Sequence, residues 1–452
     1  MAVTQGRRRL IAAGVACALM GGLAACGGQS SEAGKDGVVT ITVNGMPPKT
    51  QPVDRKYFEE DVKAFEKSHP KIRIDAREGQ MDPQTFSAKL AGGQLEDVYY
   101  VYFTDPAGLI QRGQGADITP YVKSMAYYDD VKPEFLKVFT GPDGKIYGLP
   151  NGQYSLGLVY NRDLFKKAGL DPDKPPATWE EVRQAAKKIS ALGDGTVGYA
   201  DYSKNNQGGW HFTSWVYSMG GDIAVRKDGR WKAAFDSEAG RNTLRMLHDM
   251  RWTDDTMGSR QLLQIDDVQK MMGAGKLGMY MAGPDNIPTI VKQFERKYEE
   301  YGVAAMPGGR ATLGGGNGFM FNPKASPEKI KAGIEWVQWK YLNPDRTALE
   351  DKRASGNGVP IGLPLDRLFT GQAQAEQDAA HAMYSNVPQG NYKPFVEGNA
   401  RLEQKVEPPN AQQIYTVLDG VMQAVLTKKD ADPDKLLSEA AKKVDGILAT
   451  VK

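Results

Sequence analysis

The spacing of apolar residues along the first hundred positions predicts alternating strands and helices. Residues 39–43 (VTITV) alternate apolar and polar side chains with period two, which is typical of a strand. Apolar side chains over residues 58–65 then recur at helical spacing, and a short helix is expected at 84–90. Residues 72–74 and 98–103 are rich in β-branched or aromatic side chains and predict two further strands. This order is typical of an open parallel sheet, so the predicted fold class is α/β.

The pattern continues and predicts a second α/β unit. Strands are predicted at 155–160, 277–281 and 319–321, and helices from Thr178, at 238–252, at 266–273 and from Ser326 to about 342. Thr178 with Glu181 three residues later forms a capping box, and Ser326 before Pro327 is typical of a helix start. The remaining 110 residues are predicted to be mainly helical.

Two conspicuous groups of residues are predicted to serve the fold. Trp336 and Trp339 lie three residues apart on a capped amphipathic helix, so we expect them in the core. The acidic run at 59–61 is expected on a solvated helix face. Neither group is therefore a candidate for ligand contact.

The first 26 residues have the organisation of an export signal. Three arginines at 7–9 precede an apolar stretch at 10–23, which is shorter than the roughly 20 residues that span a bilayer. The segment ends in Leu-Ala-Ala-Cys and resembles a bacterial lipobox, which implies a lipid on Cys26. The alternative is an ordinary signal peptide with a chance cysteine. We predict a signal peptide at 1–25 and a flexible tether at 26–37.

Composition limits the classes of function. Cys17 falls within the predicted signal, so the exported chain has no second thiol for a disulfide or a cysteine metal site. The 452 residues carry a formal charge of +2, and loss of the three arginines in 1–25 changes it to −1, which argues against a nucleic-acid partner. No later apolar run reaches membrane-spanning length. Beyond roughly 250–300 residues a chain usually forms more than one core, so at least two lobes are expected.

Several short segments occur in an order that resembles one known family. They are YGLP at 147–150, LVYNRDLF at 158–165, PATWEE at 176–181, GKLGM before GP at 275–284, and YGV at 301–303. The set resembles the extracellular solute-binding proteins of ABC importers, in particular the carbohydrate-binding family that includes maltose-binding protein. The likeness covers nearly all the chain from residue 38.

The resemblance implies two α/β lobes of the periplasmic-binding-protein type, which close by a hinge motion on a ligand between them. It places chain crossovers near 148–152, 281–285 and 342–344. The N-terminal lobe would comprise 38–148 and 285–342, and the C-terminal lobe 149–284 and 343–452. It also implies a monomer, anchored at the outer face of the cytoplasmic membrane, that delivers a sugar to ABC permease subunits. Neither a metal nor a cofactor is expected, and the task is binding rather than catalysis.

Two residues are the leading candidates for sugar contact. Asp105 follows the strand at 98–103, where a carboxylate accepts hydrogen bonds from vicinal hydroxyls, and it matches a ligand-binding aspartate of the family. Its alternative role is to cap the next helix. Trp210 lies between two glycines and His211, in a predicted loop, and an exposed indole suits the apolar face of a pyranose ring. Its alternative is burial against Trp215.

The resemblance adds further candidates on the crossovers and cleft walls. These are Asn151 and Tyr154 on the first crossover, Asp285 and Asn286 on the second, Asn44 and Met46 after the first strand, Asn317 after two glycines, and Gln412 and Tyr415 in the late helical region. Pro106, Tyr154 and Asp285 replace residues of the maltose pattern. An oligosaccharide other than maltose is therefore the predicted ligand.

Two other classes of function stay open on the sequence alone. An exported glycoside hydrolase would need two carboxylates, and Asp105 with Asp285 is the obvious pair. The chain lacks HExxH, phosphate-loop and nucleophile-elbow motifs. A receptor for an amine or a peptide is the other alternative, because aspartates in the cleft suit a cation.

Overall fold

The computed structural model describes residues 37–49, 51–79, 85–364 and 367–451. The predicted signal peptide, Cys26 and the tether up to residue 36 lie outside the described residues. The strands are β1 Val39–Met46, β2 Ile72–Glu78, β3 Val98–Tyr102, β4 Gly148–Ser155, β5 Gly157–Asn161, β6 Val197–Ala200, β7 Ala224–Lys227, β8 Arg230–Ala233, β9 Leu277–Ala282, β10 Tyr301–Ala305, β11 Ala311–Phe321 and β12 Glu403–Lys405.

The helices follow the same chain order. They are α1 Pro52–Ser68, α2 Phe86–Ala91, α3 Pro106–Gln111, α4 Thr119–Val122, α5 Pro133–Val138, α6 Arg162–Lys167, α7 Trp179–Ser190, α8 Gln207–Ser218, α9 Glu238–His248, α10 Ile265–Gly273, α11 Asn286–Gln293, α12 Pro327–Tyr341, α13 Thr347–Gly356, α14 Gly371–Tyr384, α15 Lys393–Asn399, α16 Ala411–Thr427 and α17 Pro433–Leu448. Within the described ranges, no helix has the length and apolar content that a membrane span requires.

The first lobe is built on a sheet of order β12-β11-β3-β1-β2, with β4 also paired to β11. β1 runs parallel to β2 and β3, whereas β11 is antiparallel to β3 and β4. Helices α1 and α12 pack on this sheet through Phe58, Phe65 and Trp336, whose rings meet edge to face. Trp336 is fully buried and Trp339 packs partly buried beside it, so the predicted core role of both is confirmed.

The second lobe is built on a smaller sheet of order β10-β5-β9-β6. The predicted capping box is present at the start of α7, where the Thr178 hydroxyl accepts the Glu181 N–H and the Glu181 carboxylate accepts the Thr178 N–H. α7 buries Trp179, which stacks on Trp215 of α8 with 3.4 Å between ring centroids. Trp215 therefore packs against Trp179, and the alternative of Trp210 buried on Trp215 is not realised.

The passages between the lobes differ from those predicted. β9, α11 and β10 all belong to the second lobe, because β10 pairs with β5 and the apolar residues of α11 pack in the same core. The chain therefore does not cross near 281–285. It crosses instead along β11, whose first residues pack in the second core and whose last residues pack in the first.

Residues after α12 also pack differently from the prediction, which placed 343–452 in the second lobe. Arg346 and Arg353 of the α13 region donate to Asp61 at 2.7 Å, and Phe369 lies in the first core. The chain returns to the second lobe at α15, where Phe395 packs against β10. Asp61 is buried, so the predicted solvated face of 59–61 is wrong at that residue.

Candidate functional site

A cleft of about 610 Å³ lies between the lobes, beside the passage of β4 and β11. Its volume falls in the range of roughly 300–1,000 Å³ that small-molecule sites occupy. The residues that line it are Tyr102, Thr104, Tyr154, Leu156, Tyr202, Asn205, Asn206, Gln207, Trp210, Ile265, Gly283, Asp285, Asn286, Gly316, Glu407, Gln412 and Tyr415. Six of the predicted site residues are among them: Tyr154, Trp210, Asp285, Asn286, Gln412 and Tyr415.

Trp210 reaches the cleft from the first turn of α8 rather than from a loop as predicted. The two preceding glycines are needed for packing, since a Cβ on Gly209 would overlap the backbone of Tyr415 on α16. The Asp419 carboxylate of α16 accepts the N–H groups of Asn206 and Gly209, both at 2.8 Å. These contacts fix the start of α8 and hold the half-buried indole at the cleft wall.

Tyr154 lies across the passage between the lobes and faces Trp210. The two ring centroids are 6.2 Å apart and the planes are inclined by 61°. A Cβ on Gly315 would overlap the Tyr154 hydroxyl, so the glycine in β11 makes room for this ring. Gly315 therefore serves to seat Tyr154, whereas a Cβ on Gly316 would overlap the Gly152 carbonyl and the Phe103 ring.

Two carboxylates face the cleft without a basic partner. Asp285 is exposed to the cleft, yet desolvation by the surrounding walls raises its pKa. Glu407 is half-buried, and burial together with the negative charge of Asp105 raises its pKa to about 7, against the opposing effect of the Tyr415 hydroxyl. That hydroxyl donates to Glu407 Oε1 at 2.9 Å.

None of the described residues that line the cleft is a lysine, an arginine or a histidine. No group of three or more potential metal ligands occurs in the described part of the chain. The side chains that remain offer hydroxyl, amide and carboxylate groups beside aromatic rings. Such a set can bind hydroxyl groups, stack on an apolar ring face and accept hydrogen bonds from a cation.

Asp105 lines a neighbouring cavity of about 290 Å³ rather than the main cleft. Its Oδ2 accepts the N–H of Tyr102 at 3.0 Å, and the residue precedes Pro106 at the N-cap of α3 without a side-chain capping bond to that helix. Burial raises its pKa, with Tyr102 and Arg112 opposing. Asp105 thus orders the turn after β3, and the Asp105–Asp285 pair weighed for glycoside hydrolysis does not share the cleft lining.

Four other predicted residues lie away from the cleft lining. Asn44 is buried, and Met46 packs partly buried on the first core. Asn151 lies half-buried on β4, and Asn317 pairs with Tyr102 and Gly152 in the sheet. The Oδ1 atoms of Asn44 and Asn151 are buried without a hydrogen-bond partner within the described residues.

Several cleft residues were not predicted. Tyr202, Asn205 and Glu407 are the most informative of them, and all three lie in short segments between regular elements. Asn205 and its neighbour Asn206 adopt positive φ angles of 59° and 67°, a conformation that asparagine tolerates well. An asparagine pair, separated from two glycines only by Gln207, was the available signal for a special loop. Glu407 precedes two prolines just before α16, which carries the predicted Gln412 and Tyr415.

A family model described as "Bacterial extracellular solute-binding protein" matches residues 49–343, well over half of the chain. The chain belongs to this family. The family resemblance inferred from the sequence and the predicted two-lobed α/β fold are confirmed.

The relatives match most of the length of the chain. A binding protein of Brucella abortus is 27% identical over 423 residues, covering 91% of this chain and 93% of the relative. The sn-glycerol-3-phosphate-binding protein UgpB of Yersinia pestis is 28% identical over 356 residues, covering 74% and 72%.

Solved structures of the family share the fold. UgpB of Mycobacterium tuberculosis in complex with glycerophosphocholine aligns with a TM-score of 0.71, 16% identity and coverage of 92% and 99%. The cyclic alpha-maltosyl-1,6-maltose binding protein of Arthrobacter globiformis aligns with a TM-score of 0.70, 23% identity and coverage of 92% and 100%. At these identities the likeness establishes the fold and not the ligand.

Proposed function

We propose that this protein is the lipid-anchored substrate-binding component of an ABC importer and captures a saccharide in the cleft between its lobes. Cys26 carries the anchor, and the closed lobes deliver the sugar to the permease. The observation that carries the proposal is the lining of the cleft, in which aromatic rings alternate with hydroxyl and amide groups. Rings suit the apolar faces of pyranoses, and the polar groups suit their hydroxyls.

The charge of the cleft favours a saccharide over a phosphate ester, the ligand class named for UgpB relatives. Phosphate sites use arginine, lysine or the free N–H groups of a helix start. The described lining contains no basic side chain, and the carboxylate of Asp419 already occupies N–H groups at the start of α8. A phosphate would therefore meet negative charge without compensation.

The two walls of the cleft belong to different lobes, and this arrangement supports closure of the lobes around a ligand. Trp210, Tyr415 and Asp285 belong to the second lobe, whereas Tyr102 and Thr104 belong to the first. A ligand that contacts both sets prefers the closed state, and closure can shift only as far as that preference allows. Delivery then requires the permease to reopen the lobes.

Binding of a saccharide panel to the purified protein, measured by titration calorimetry, tests the proposal. We expect at least one oligosaccharide to bind, and Trp210→Ala to weaken it about tenfold, or about 1.4 kcal/mol. The control is Trp231→Ala, which removes another half-buried indole that packs on the same core at the β7–β8 hairpin.

Two results would contradict this assignment. Failure of every saccharide to bind would overturn the function, and equal affinities of wild type and Trp210→Ala would remove the stacking role. Mass spectrometry of the bound sugar after long incubation separates receptor from hydrolase, because a receptor returns its ligand intact.

A further inference from the structure

We infer that the saccharide recognised by this protein carries a positively charged amino group, which binds between Asp285 and Glu407. The inference rests on the proposed function and narrows its substrate class from sugars in general to amino sugars. It begins from the two carboxylates of the cleft.

Two carboxylates elsewhere in the described part of the chain are matched by bases. Buried Asp61 contacts Lys340, Arg346 and Arg353, each at 2.7 Å, and Asp254 contacts Arg183 and Lys187. Such matching is expected, because removing a charge from water is costly unless an opposite charge replaces the lost solvation. The protein thus supplies positively charged partners for both of these carboxylates from its own side chains.

Asp285 and Glu407 have no such basic partner among the described residues. Neither takes part in an ion pair within the described residues, and the cleft they line has no base among its described residues. The Tyr415 hydroxyl donates to Glu407 at 2.9 Å, and the Asn286 side chain stabilises the charge of Asp285. These neutral donors leave both negative charges uncompensated, so a cation in the cleft would gain attraction from each.

The groups around the two carboxylates reinforce this field. Burial raises the pKa of Tyr154, and the negative charges of Glu407 and Asp285, which line the same cleft, raise it further. The charge of Asp105 acts on Glu407 from the first lobe. Among the described residues no positive charge acts on Glu407, and its carboxylate accepts a hydrogen bond from the Tyr415 hydroxyl. The space beside Tyr154 therefore has a negative potential from three carboxylates.

The aromatic rings add a second attraction for a cation. Trp210 and Tyr154 line this space with their ring centroids 6.2 Å apart, and the faces of aromatic rings attract ammonium groups. An ammonium also has three donors and no acceptor, which fits two carboxylates that need donors. A pyranose with one amino group can satisfy the carboxylates through nitrogen while its apolar face contacts Trp210.

The probes are disaccharides with one skeleton and different substituents at the second carbon. Cellobiose carries hydroxyl groups there, the β-1,4 glucosamine dimer carries ammonium groups, and the di-N-acetylated form of that dimer carries neutral acetamide groups. The monomers glucose, glucosamine and N-acetylglucosamine, and the corresponding galactose series, extend the set to other ring stereochemistry. Calorimetric titration at pH 7 measures the affinity of each.

We expect the ammonium form to bind at least tenfold more tightly than both neutral forms in at least one series, with a preference that declines as salt is added. Glu407→Gln and Asp285→Asn should each reduce that preference, the ratio of the ammonium to the neutral affinity, by tenfold or more, whatever they do to the affinity for the neutral analogue. The matched controls are Glu439→Gln on α17 and Asp430→Asn after α16, two exposed carboxylates remote from the cleft. Both should leave the preference unchanged.

A proton measurement gives an independent readout. An ammonium beside Glu407 lowers the pKa of that carboxyl from about 7, so Glu407 contributes a fractional proton release to binding at pH 7, which adds to any proton that the sugar amine takes up. The calorimetric enthalpy should then depend on the ionisation enthalpy of the buffer. Glu407→Gln should shift that dependence toward proton uptake, because the release from Glu407 is lost, whereas Glu439→Gln should leave it unchanged.

The outcomes separate this inference from the proposed function. Neutral sugars that bind as tightly as their amines, with a ratio that Glu407→Gln does not change, would overturn the inference and leave the saccharide receptor intact. Failure of every neutral and amino sugar to bind would overturn both. Choline bound as tightly as the best amino sugar would show that the cation alone is recognised, which also contradicts an amino-sugar site.

Discussion

Asp61 and Glu407 are two carboxylates removed from bulk water in different regions of the same molecule. Asp61 lies where α1, α12 and α13 meet, and Lys340 with two arginines outweighs desolvation and lowers its pKa. Glu407 lies in the cleft, where desolvation dominates and raises its pKa to about 7. The protein itself supplies the positive charges that balance Asp61, whereas a positive charge that balances Glu407 has to come from a ligand in the cleft.

The difference shows how the molecule divides stability from binding. The cluster of Asp61 and its three basic partners stabilises the first lobe, but its charges are already balanced and would not attract a ligand. An uncompensated carboxylate costs stability in the empty protein and returns that free energy when a suitable ligand binds. Substitutions at Asp61, Glu407 and Gly315 test this difference between stability and binding.

The largest expected effect is loss of stability in Asp61→Asn, because three cations would remain without their shared anion. Removing one partner of a buried pair costs about 3–5 kcal/mol. Urea unfolding should show that loss near pH 7, with saccharide affinity unchanged. The pKa of Asp61 is lowered when folded, so its contribution is present above pH 4 and declines as pH falls further, and the gap to wild type should narrow in acid.

The control for that change is Glu59→Gln. Glu59 pairs with Arg55 at 3.1 Å on the surface and is half exposed, so its loss should cost under about 1 kcal/mol. A loss in Glu59→Gln as large as that in Asp61→Asn would show that burial of Asp61 has no special role.

The second effect is a pH-dependent gain of stability in Glu407→Gln. Glu407 has a raised pKa in the folded state, so the folded protein binds more protons than the unfolded chain between about pH 4.5 and 7. Wild-type stability from this group therefore falls as pH rises through that window and stays low above it. The variant should gain on the order of 1–2 kcal/mol over wild type between pH 5 and pH 8, measured by unfolding in the absence of sugar. A constant difference across that range would contradict the uncompensated carboxylate.

The smallest effect concerns the ring beside the two cleft carboxylates. Gly315→Ala should displace the Tyr154 hydroxyl and weaken saccharide binding several-fold, or about 1 kcal/mol, with little loss of stability because a side-chain end can move. Gly314→Ala is the matched control on β11, since its nearest new contact is 3.4 Å away. Equal affinities of the two variants in calorimetry would show that the position of Tyr154 does not matter.

Local patterns in the sequence predicted most individual elements of this fold. The alternation at 39–43, the Thr178 capping box and the tryptophans of α12 each have a single local cause and were found where predicted. The assignment of helices to lobes was less predictable, because α13 joins the first lobe largely through ion pairs. Its charged side chains have no periodicity that indicates a buried partner such as Asp61, which lies 285 positions before Arg346 in the chain.

The site was predictable where a residue belonged to a recognisable segment. Trp210, Tyr154, Asp285 and Tyr415 were predicted and line one cleft, although their contact with a ligand remains a proposal. Glu407 was missed because nothing in a run of loop residues shows which carboxylate lacks a base. That property depends on distances between lobes, and only the folded chain brings them together.

The single strand β11 runs through both lobes, with Leu313 in one core and Phe319 in the other. Neither lobe can lose its sheet or core without extracting part of this strand from its neighbour. We therefore expect heat to unfold the whole body in one cooperative transition, despite its separate cores. A sugar held in the cleft would then raise one melting temperature for the entire molecule.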